Sequence, residues 1–175
     1  MSAHLKSIAC DGPALVDLIV DDRRAVLLKN IAVNLPDITL NERHLCDLEL
    51  LATGGFSPLG GFMARADYEP VLDRMRLQDG TLWPLPICLD VSAIKAQRLE
   101  AGQSAALRDA EGLLIAVIHI EDIWPVDRER EAARVYATCD PSHPGTEYLF
   151  NRTGDYYVGG KLEVVNLPQH FDFKK

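Results

Sequence analysis

Apolar residues recur at every third or fourth position between residues 42 and 53, and this spacing predicts a helix with one buried face. Asn41 comes just before this segment and predicts an N-cap, because its side-chain oxygen can accept a hydrogen bond from a free N–H group of the first turn. Gly54 follows the segment and predicts the end of the helix. The residues that define the buried face are Leu45, Leu48 and Leu51.

Residues 54–63, GGFSPLGGFM, combine four glycines and one proline with several large apolar side chains. The glycines disfavour a helix interior, and the apolar side chains disfavour a solvated linker. We therefore expect a rigid, buried turn between two helices. A phosphate-binding loop is a poorer interpretation, because the segment contains neither a GxGxxG nor a GxxxxGK[ST] pattern and no lysine follows it to meet a phosphate.

Apolar segments between turn signals predict about six strands, and four or five short helices accompany them without βαβ alternation. This order predicts an α+β fold with a curved antiparallel or mixed sheet, or a small barrel. One helix is expected to begin at Asp127, and another, within residues 66–75, is expected to have Pro70 in its first turn. The strand segments are residues 37–40, 81–91, 104–109, 113–126 and 156–168, and the last of these is expected to form one or two strands.

The net charge of −8 argues against a nucleic-acid-binding surface, since such surfaces usually carry clustered lysine and arginine. No apolar run reaches the roughly 18 residues that a membrane-spanning helix needs, and the first residues lack the apolar core of a signal peptide. The four cysteines are widely spaced and form no CxxC pair. We therefore expect a cytoplasmic protein with reduced thiols and no membrane association.

Polar residues concentrate in two turns, residues 140–145 and 151–155. Arg152 and Asp155 could pair across the second turn, or Arg152 could face an anion, but a turn stabilised by its own hydrogen bonds is the simpler interpretation. An independent enzyme that uses His143, Arg152 and Asp155 is a further alternative, although no local pattern supports it. The sequence has no GxSxG nucleophile elbow and no histidine or cysteine spacing typical of a metal site.

Four longer motifs resemble the N-terminal region of the ATP sulfurylases (sulfate adenylyltransferases). In the order of that family, they are GGFSPL, DGTLWP, DPSHPG and NRTGDYYVGG. The resemblance implies that residues 37–175 form a PUA-like domain, which is a curved β pseudobarrel with flanking short helices. Residues 1–36 match loosely and are expected to form an N-terminal arm. One departure is Gly60, where the family more often has threonine or another polar residue.

The resemblance implies that this part of the family has no catalytic role. ATP sulfurylases join sulfate to the α-phosphate of ATP in a later domain, which is marked by QxRNP, HxxH and GRD segments. None of these segments occurs in the 175 residues. No catalytic, cofactor-binding or metal-binding residue is therefore assigned here, and ATP and Mg²⁺ are implied for the full-length enzyme only.

The partner that the resemblance implies is the catalytic domain of the same full-length protein, and a homo-oligomer would add further copies of the chain. We expect the interdomain contact at Asn151, Arg152 and Asp155, because their turn comes shortly before the end of the domain. The alternative function is a standalone PUA-like module that binds RNA or a protein partner. Fold alone is weak support for that alternative, and the net charge of −8 argues against RNA.

Overall fold

A mixed six-stranded sheet organises residues 15–168, which is the part of the chain that the computed structural model describes. Its strands are β1 (Asp37–Thr39), β2 (Gly61–Phe62), β3 (Leu89–Val91), β4 (Ser104–Arg108), β5 (Leu114–Pro125) and β6 (Tyr156–Val164). The order along the sheet is β1–β4–β5–β6–β2, and β3 also pairs with β6. Only β1 and β4 run parallel within this set. The predicted α+β class is confirmed, and the sheet is not closed into a barrel.

Strand β6 connects most of the sheet, because it pairs with β5 along one edge and with β2 and β3 along the other. Two adjacent glycines make these close approaches feasible. A Cβ atom at Gly159 would overlap the backbone of Met63 and Ala64, and one at Gly160 would overlap the carbonyl oxygen of His119. Glycine is therefore needed at both positions of the strand, because a side chain would prevent the neighbouring backbone from approaching this closely.

The helices are short and lie around the sheet. They are α1 (Asp22–Ile31), α2 (Glu42–Ala52), α3 (Arg65–Arg74), α4 (Ala93–Ala96), α5 (Arg128–Glu131), a π-helix (Ala132–Tyr136) that continues α5, and α6 (Pro144–Asn151). The predicted N-cap is confirmed, since Asn41 accepts from the N–H of His44 at 2.9 Å in a capping box. Gly54 follows α2 with a φ of +83°, a conformation that favours glycine.

Helix α1 packs on the sheet through one buried leucine and one ion pair. Leu28 is fully buried, and the Arg24 guanidinium holds both carboxylate oxygens of Glu163 at 2.6 and 2.8 Å. The preceding segment adds a backbone hydrogen bond of 3.0 Å from Val20 N–H to the Val164 carbonyl. The residues between 15 and 36 thus contact the same sheet as the rest of the chain. The predicted domain boundary at residue 36 stays a prediction.

The GGFSPLGGFM segment forms the buried turn that its composition predicted. It connects α2 to α3 and contributes β2, with Leu59, Phe62 and Met63 almost fully buried. Gly61 is required by contact rather than by its dihedral angles, because a Cβ atom there would overlap the Gly160 carbonyl oxygen. Gly60 has no such neighbour within 4 Å.

A buried carboxylate joins α5 to α3 and β6. Glu131 is 6% exposed and accepts hydrogen bonds from the hydroxyls of Tyr68 at 2.8 Å and Tyr157 at 2.9 Å. Burial raises the pKa of Glu131 above its ordinary value, although both tyrosines act in the opposite direction. The tyrosine rings pack with Trp124 at centroid distances of 5.4 and 5.8 Å. This cluster holds the α5 and π-helix segment on the sheet.

Three local predictions differ from the structure. Pro70 lies in the interior of α3 rather than in its first turn, because the helix already begins at Arg65. Of the strand predicted at residues 81–91, only β3 forms a strand. Pro84 and Pro86 have no N–H group to donate to a neighbouring strand. The helix predicted from Asp127 begins there as expected, but it becomes a π-helix after Glu131.

Candidate functional site

The turn at residues 152–155, between α6 and β6, is held by two charged side chains. Arg128 donates from Nη2 to the carbonyl oxygens of Thr153 at 2.8 Å and Gly154 at 2.9 Å. Asp90 accepts from the N–H of Gly154 at 2.7 Å. A Cβ atom at position 154 would overlap the backbone of β3, so a glycine is needed for this approach. The turn therefore has a fixed shape on the protein surface.

Asp90 is a buried carboxylate that connects this turn to α2. It accepts from His44 Nε2 at 2.7 Å and from Arg43 Nη2 at 3.1 Å. Burial raises the pKa of Asp90, but the hydrogen bond from His44, the Gly154 N–H and the charge of Arg43 outweigh burial and hold the pKa below its ordinary value. His44 is only 2% exposed, and its Nδ1 accepts from the Asn41 N–H at 3.4 Å. Asp90 is therefore ionised at neutral pH.

Arg43 is held on α2 by a carboxylate and an aromatic ring. Besides Asp90, its Nη2 contacts the Cys88 carbonyl oxygen at 3.3 Å, and its guanidinium carbon lies 5.3 Å from the centre of the Tyr148 ring. Burial lowers the pKa of Arg43, but the carboxylates of Asp47 and Asp90 outweigh burial, so that the net effect is a rise. The guanidinium is thus fixed in position and permanently charged.

Two adjoining cavities open on this part of the surface, with volumes of about 400 and 330 Å³. Both are lined by Asn41 and Arg152. We call this surface the Arg152 face and define it by Asn41, Arg43, Lys95, Tyr148, Arg152 and Gly154. Its cations already have acceptors, because Arg43 contacts Asp90 and Lys95 donates to the Asp37 carbonyl oxygen at 2.7 Å.

The structure places the three predicted contact residues at or beside this face. Asn151 is exposed at the end of α6. The Arg152 side chain is 65% exposed and lies 3.6 Å from Glu147, whereas Asp155 lies 3.3 Å from Arg128. Arg152 and Asp155 therefore do not pair with each other. Their part in an interdomain contact stays a prediction.

His143 has a local structural role. Its Nδ1 accepts from the Thr146 N–H at 3.4 Å at the start of α6, and its ring lies 5.0 Å from the Tyr136 ring. It makes no hydrogen bond or ion pair with Arg152 or Asp155, all three of which the structure describes. The geometry thus gives no support to an active site built from these three residues.

Residues 15–168 contain neither a cluster suited to a metal ion nor a membrane-spanning helix. No group of three or more histidine, cysteine, aspartate or glutamate side chains in this range is arranged to hold a metal ion. No helix in the same range is long and apolar enough to cross a membrane. Cys46, Cys88 and Cys139 are free thiols, and Cys10 lies outside the described residues.

Comparison with known families accounts for this architecture. The sequence profile of the PUA-like domain family matches residues 8–167, which include the whole sheet and the Arg152 face. The chain belongs to this family. The mixed sheet with short helices agrees with the PUA-like fold that the resemblance implied.

Relatives of this PUA-like domain are sulfate adenylyltransferases. Those of Gibberella zeae and Mycosarcoma maydis are each 45% identical over 166 residues, which is 93% of this chain and 29% of the relative. That of Saccharomyces cerevisiae is 41% identical over 165 residues, with 93% and 32% covered. The chain thus spans about a third or less of the length of these relatives and corresponds to their N-terminal part.

A solved structure is also similar to this PUA-like domain. It is described as hexameric APS kinase from Thiobacillus denitrificans, and it superposes with a TM-score of 0.69 at 33% identity. The match covers 91% of this chain and 27% of the solved one.

Sequence reasoning found the turn but missed the groups that shape the face around it. Arg43, Asp90 and Lys95 are far from residues 151–155 in the sequence, and their partners meet only in space. Within residues 151–155, the glycine at position 154 is a local signal of a close backbone contact. The structure shows that this contact is with β3.

Proposed function

We propose that this chain is the non-catalytic N-terminal domain of a sulfate adenylyltransferase. The full-length enzyme forms adenylyl sulfate and pyrophosphate from ATP and sulfate. The observation that carries the proposal is the match to sulfate adenylyltransferases over 93% of this chain, while those relatives are about three times longer or more. The free thiols of the described residues favour a reducing compartment, and we place the protein in the cytoplasm.

ATP and Mg²⁺ belong, in this proposal, to the remainder of the full-length enzyme. The described residues do not fit Mg²⁺, because they contain no suitable group of carboxylates. They also offer a triphosphate no free cluster of cations, since Arg43 and Lys95 of the Arg152 face are engaged with acceptors.

The Arg152 face is the proposed contact with the catalytic domain. It brings the guanidinium groups of Arg43 and Arg152 together with the Tyr148 ring in one cavity, and arginine and tyrosine are enriched at protein interfaces. The Arg152 side chain is 65% exposed. Asp90 and Arg128 fix the turn beneath Arg152, so that docking would cost little conformational entropy.

Assay of two proteins tests the catalytic part of the proposal. A full-length protein that contains this chain is expected to release pyrophosphate from ATP in a sulfate-dependent reaction. The 175-residue chain alone is expected to release none. Sulfate-dependent release by the isolated chain, or no release by the full-length protein, would contradict the proposal. A salt-sensitive gel shift of RNA by the isolated chain would support the standalone binding module instead.

A separate variant tests the contact. In the full-length enzyme, Arg152→Ala is expected to lower the rate of adenylyl sulfate formation and to lower the melting temperature by about 3 °C, since loss of about 1 kcal/mol shifts the melting temperature by a few degrees. Arg98→Ala is the matched control, because Arg98 is also an exposed arginine but lies outside the face. If Arg152→Ala and Arg98→Ala gave the same rate and the same melting temperature, the proposed contact would be wrong. The proposed reaction would not be affected.

Association of full-length copies is a further part of the proposal. The solved relative that is described as hexameric supports a homo-oligomer. Light scattering of the purified full-length protein is expected to give a mass that is a multiple of the chain mass, and a monomer mass would contradict this part.

A further inference from the structure

Three side chains on neighbouring strands form a continuous hydrogen-bonded chain on one face of the sheet. Ser104 lies on β4, His119 on β5 and Glu163 on β6. The Ser104 Oγ atom is 2.9 Å from His119 Nδ1, and His119 Nε2 is 2.6 Å from Glu163 Oε2. Serine, imidazole and carboxylate in this order are the components of a serine nucleophile with its base and orienting acid.

The sheet register fixes these residues relative to one another. Ser104 pairs directly with His119, and His119 pairs directly with Lys161. Directly paired residues point to the same face of a sheet. Ser104, His119 and Lys161 therefore form one row across β4, β5 and β6, with Glu163 on the same strand and face as Lys161.

Arg24 determines the state of the carboxylate. Its two hydrogen bonds with Glu163, and secondarily the hydrogen bond with His119, lower the pKa of Glu163 to about 2 despite partial burial. Glu163 is therefore ionised near neutral pH and accepts a hydrogen bond from the Nε2–H group of His119. The neutral imidazole then presents an unprotonated Nδ1 to the Ser104 hydroxyl.

The row formed by Ser104, His119 and Lys161 is accessible to solvent, and its lysine is available to interact with a bound molecule. The His119 side chain is 43% exposed, and Ser104 is half-buried. Lys161 is exposed and forms no ion pair with any of residues 15–168. Its ammonium group can reach over the row and stabilise negative charge that develops on a carbonyl or phosphoryl oxygen.

We propose that Ser104 is a nucleophilic site that accepts an acyl or phosphonyl group from small activated electrophiles, with His119 as its general base and Glu163 as a positioning residue. The division of roles is that of a serine hydrolase triad with the two ring nitrogens exchanged. Nothing in the family match assigns this site, and it uses no residue of the Arg152 face.

With a fluorophosphonate, Ser104 becomes phosphonylated and fluoride is the leaving group. The Ser104 Oγ atom forms a bond to phosphorus, and the P–F bond breaks with release of fluoride. The hydroxyl proton moves to His119 Nδ1, and the resulting imidazolium is stabilised by the ionised Glu163. With an aryl ester, the same attack on the carbonyl carbon leaves an acylated Ser104 and an aryloxide, which takes up the proton from His119.

Labelling of the 175-residue chain with a fluorophosphonate probe tests the proposal. Mass spectrometry of tryptic peptides gives the labelling rate of Ser104, with the exposed Ser142 as an internal reference for a serine whose hydroxyl contacts a carboxylate, Asp140, but no histidine. Ser104 is expected to react faster than Ser142. His119→Gln, which retains hydrogen bonding but removes the base, is expected to slow Ser104 labelling by about 100-fold, whereas His143→Ala is expected to leave it unchanged.

Two variants of Glu163 separate positioning from structure. Glu163→Gln is expected to slow labelling at least ~10-fold, and Glu163→Asp is expected to recover part of the rate, because it restores a carboxylate. Circular dichroism and the urea midpoint confirm that each variant is folded. Labelling of Ser104 no faster than Ser142, or an unchanged rate in a folded His119→Gln or His119→Ala chain, would overturn the proposal and leave the three side chains as a structural cross-strand network.

Discussion

At the scale of single residues, Gly60 and Gly61 are adjacent in the buried turn, but only Gly61 lies where a side chain would overlap the backbone. Gly60→Ala is expected to raise the free energy of unfolding by about 0.4–1 kcal/mol, because the new Cβ meets nothing within 4 Å and the unfolded chain loses freedom. Gly61→Ala is expected to lower it by about 1–3 kcal/mol, because the methyl group would overlap the Gly160 carbonyl oxygen. Urea unfolding of both variants measures the two effects.

The two glycine variants are controls for each other. They carry the same chemical change at neighbouring positions of one turn, so that any general effect of replacing glycine is common to both. Destabilisation of similar size at both positions would contradict the assignment of free space above Gly60. The same space also explains why a threonine or another polar residue could replace Gly60 without disturbing the turn.

Residue roles that depend on sequence neighbours could be predicted, and those that depend on distant partners could not. Asn41 and Asp127 were identified as N-caps because a cap bonds to an N–H group two or three residues away. Asp90 gave no signal, since its partners lie 46 residues before it and 64 residues after it. The polar groups of the Arg152 face are of this second kind.

At the scale of elements, helix α1 packs on the sheet although its sequence has only a weak hydrophobic pattern. Leu28 is fully buried, but Val26, Leu27 and Ile31 remain 58%, 55% and 46% exposed. Sequence periodicity therefore gave no clear buried face for this segment. The helix is attached instead by the contact of Arg24 with Glu163, which joins residues 139 positions apart.

Removal of that contact has a measurable electrostatic effect. Arg24→Met is expected to raise the pKa of Glu163 from about 2 toward the ordinary value of about 4.3. Carbon-13 NMR of the Glu163 carboxyl group during an acid titration measures this change. An unchanged titration of Glu163 in the variant would contradict the role of Arg24.

The sign of the effect on stability follows from proton linkage. Glu163 has a lower pKa in the folded than in the unfolded chain, so that its stabilising contribution is present above about pH 4.3 and is lost as the pH falls toward about 2. Arg24→Met is expected to flatten this part of the stability curve. Arg23→Met, at an exposed arginine on the same helix, is the matched control.

At the scale of the whole molecule, the buried Glu131 gives a pH dependence of opposite sign. Its pKa is raised in the folded chain, so that its contribution to stability is greatest at low pH and is lost as the pH rises through the folded pKa. Glu131→Gln is expected to remove this loss, because glutamine remains neutral. The difference in free energy of unfolding between variant and wild type should grow with pH by no more than about 1.4 kcal/mol per pH unit.

Urea unfolding at a series of pH values between 4 and 8 measures this difference. Subtraction of the wild-type curve from that of the variant cancels the contributions of Glu163 and Asp90, which both chains share. A difference that stays constant with pH would mean that Glu131 is ionised equally in the folded and unfolded chains, which contradicts its raised pKa.

The overall fold was predictable at the level of class and family rather than of connections. Local patterns gave the α+β class and most strands, and the motifs from GGFSPL to NRTGDYYVGG gave the PUA-like family. The order of strands was not predictable, because no local pattern indicates that β2 and β3 both pair with β6. The open sheet likewise follows from pairings between distant segments.

The pairing of β6 with three strands has a consequence for how the protein is made. A ribosome releases β2, β3 and β5 before it has synthesised residues 156–164, so that the nascent chain holds three strands whose shared partner does not yet exist. Their unpaired edges are exposed to other nascent chains during that interval. Completion of the sheet must therefore follow rather than accompany translation of this segment, and protection by a chaperone matters most just before β6 emerges.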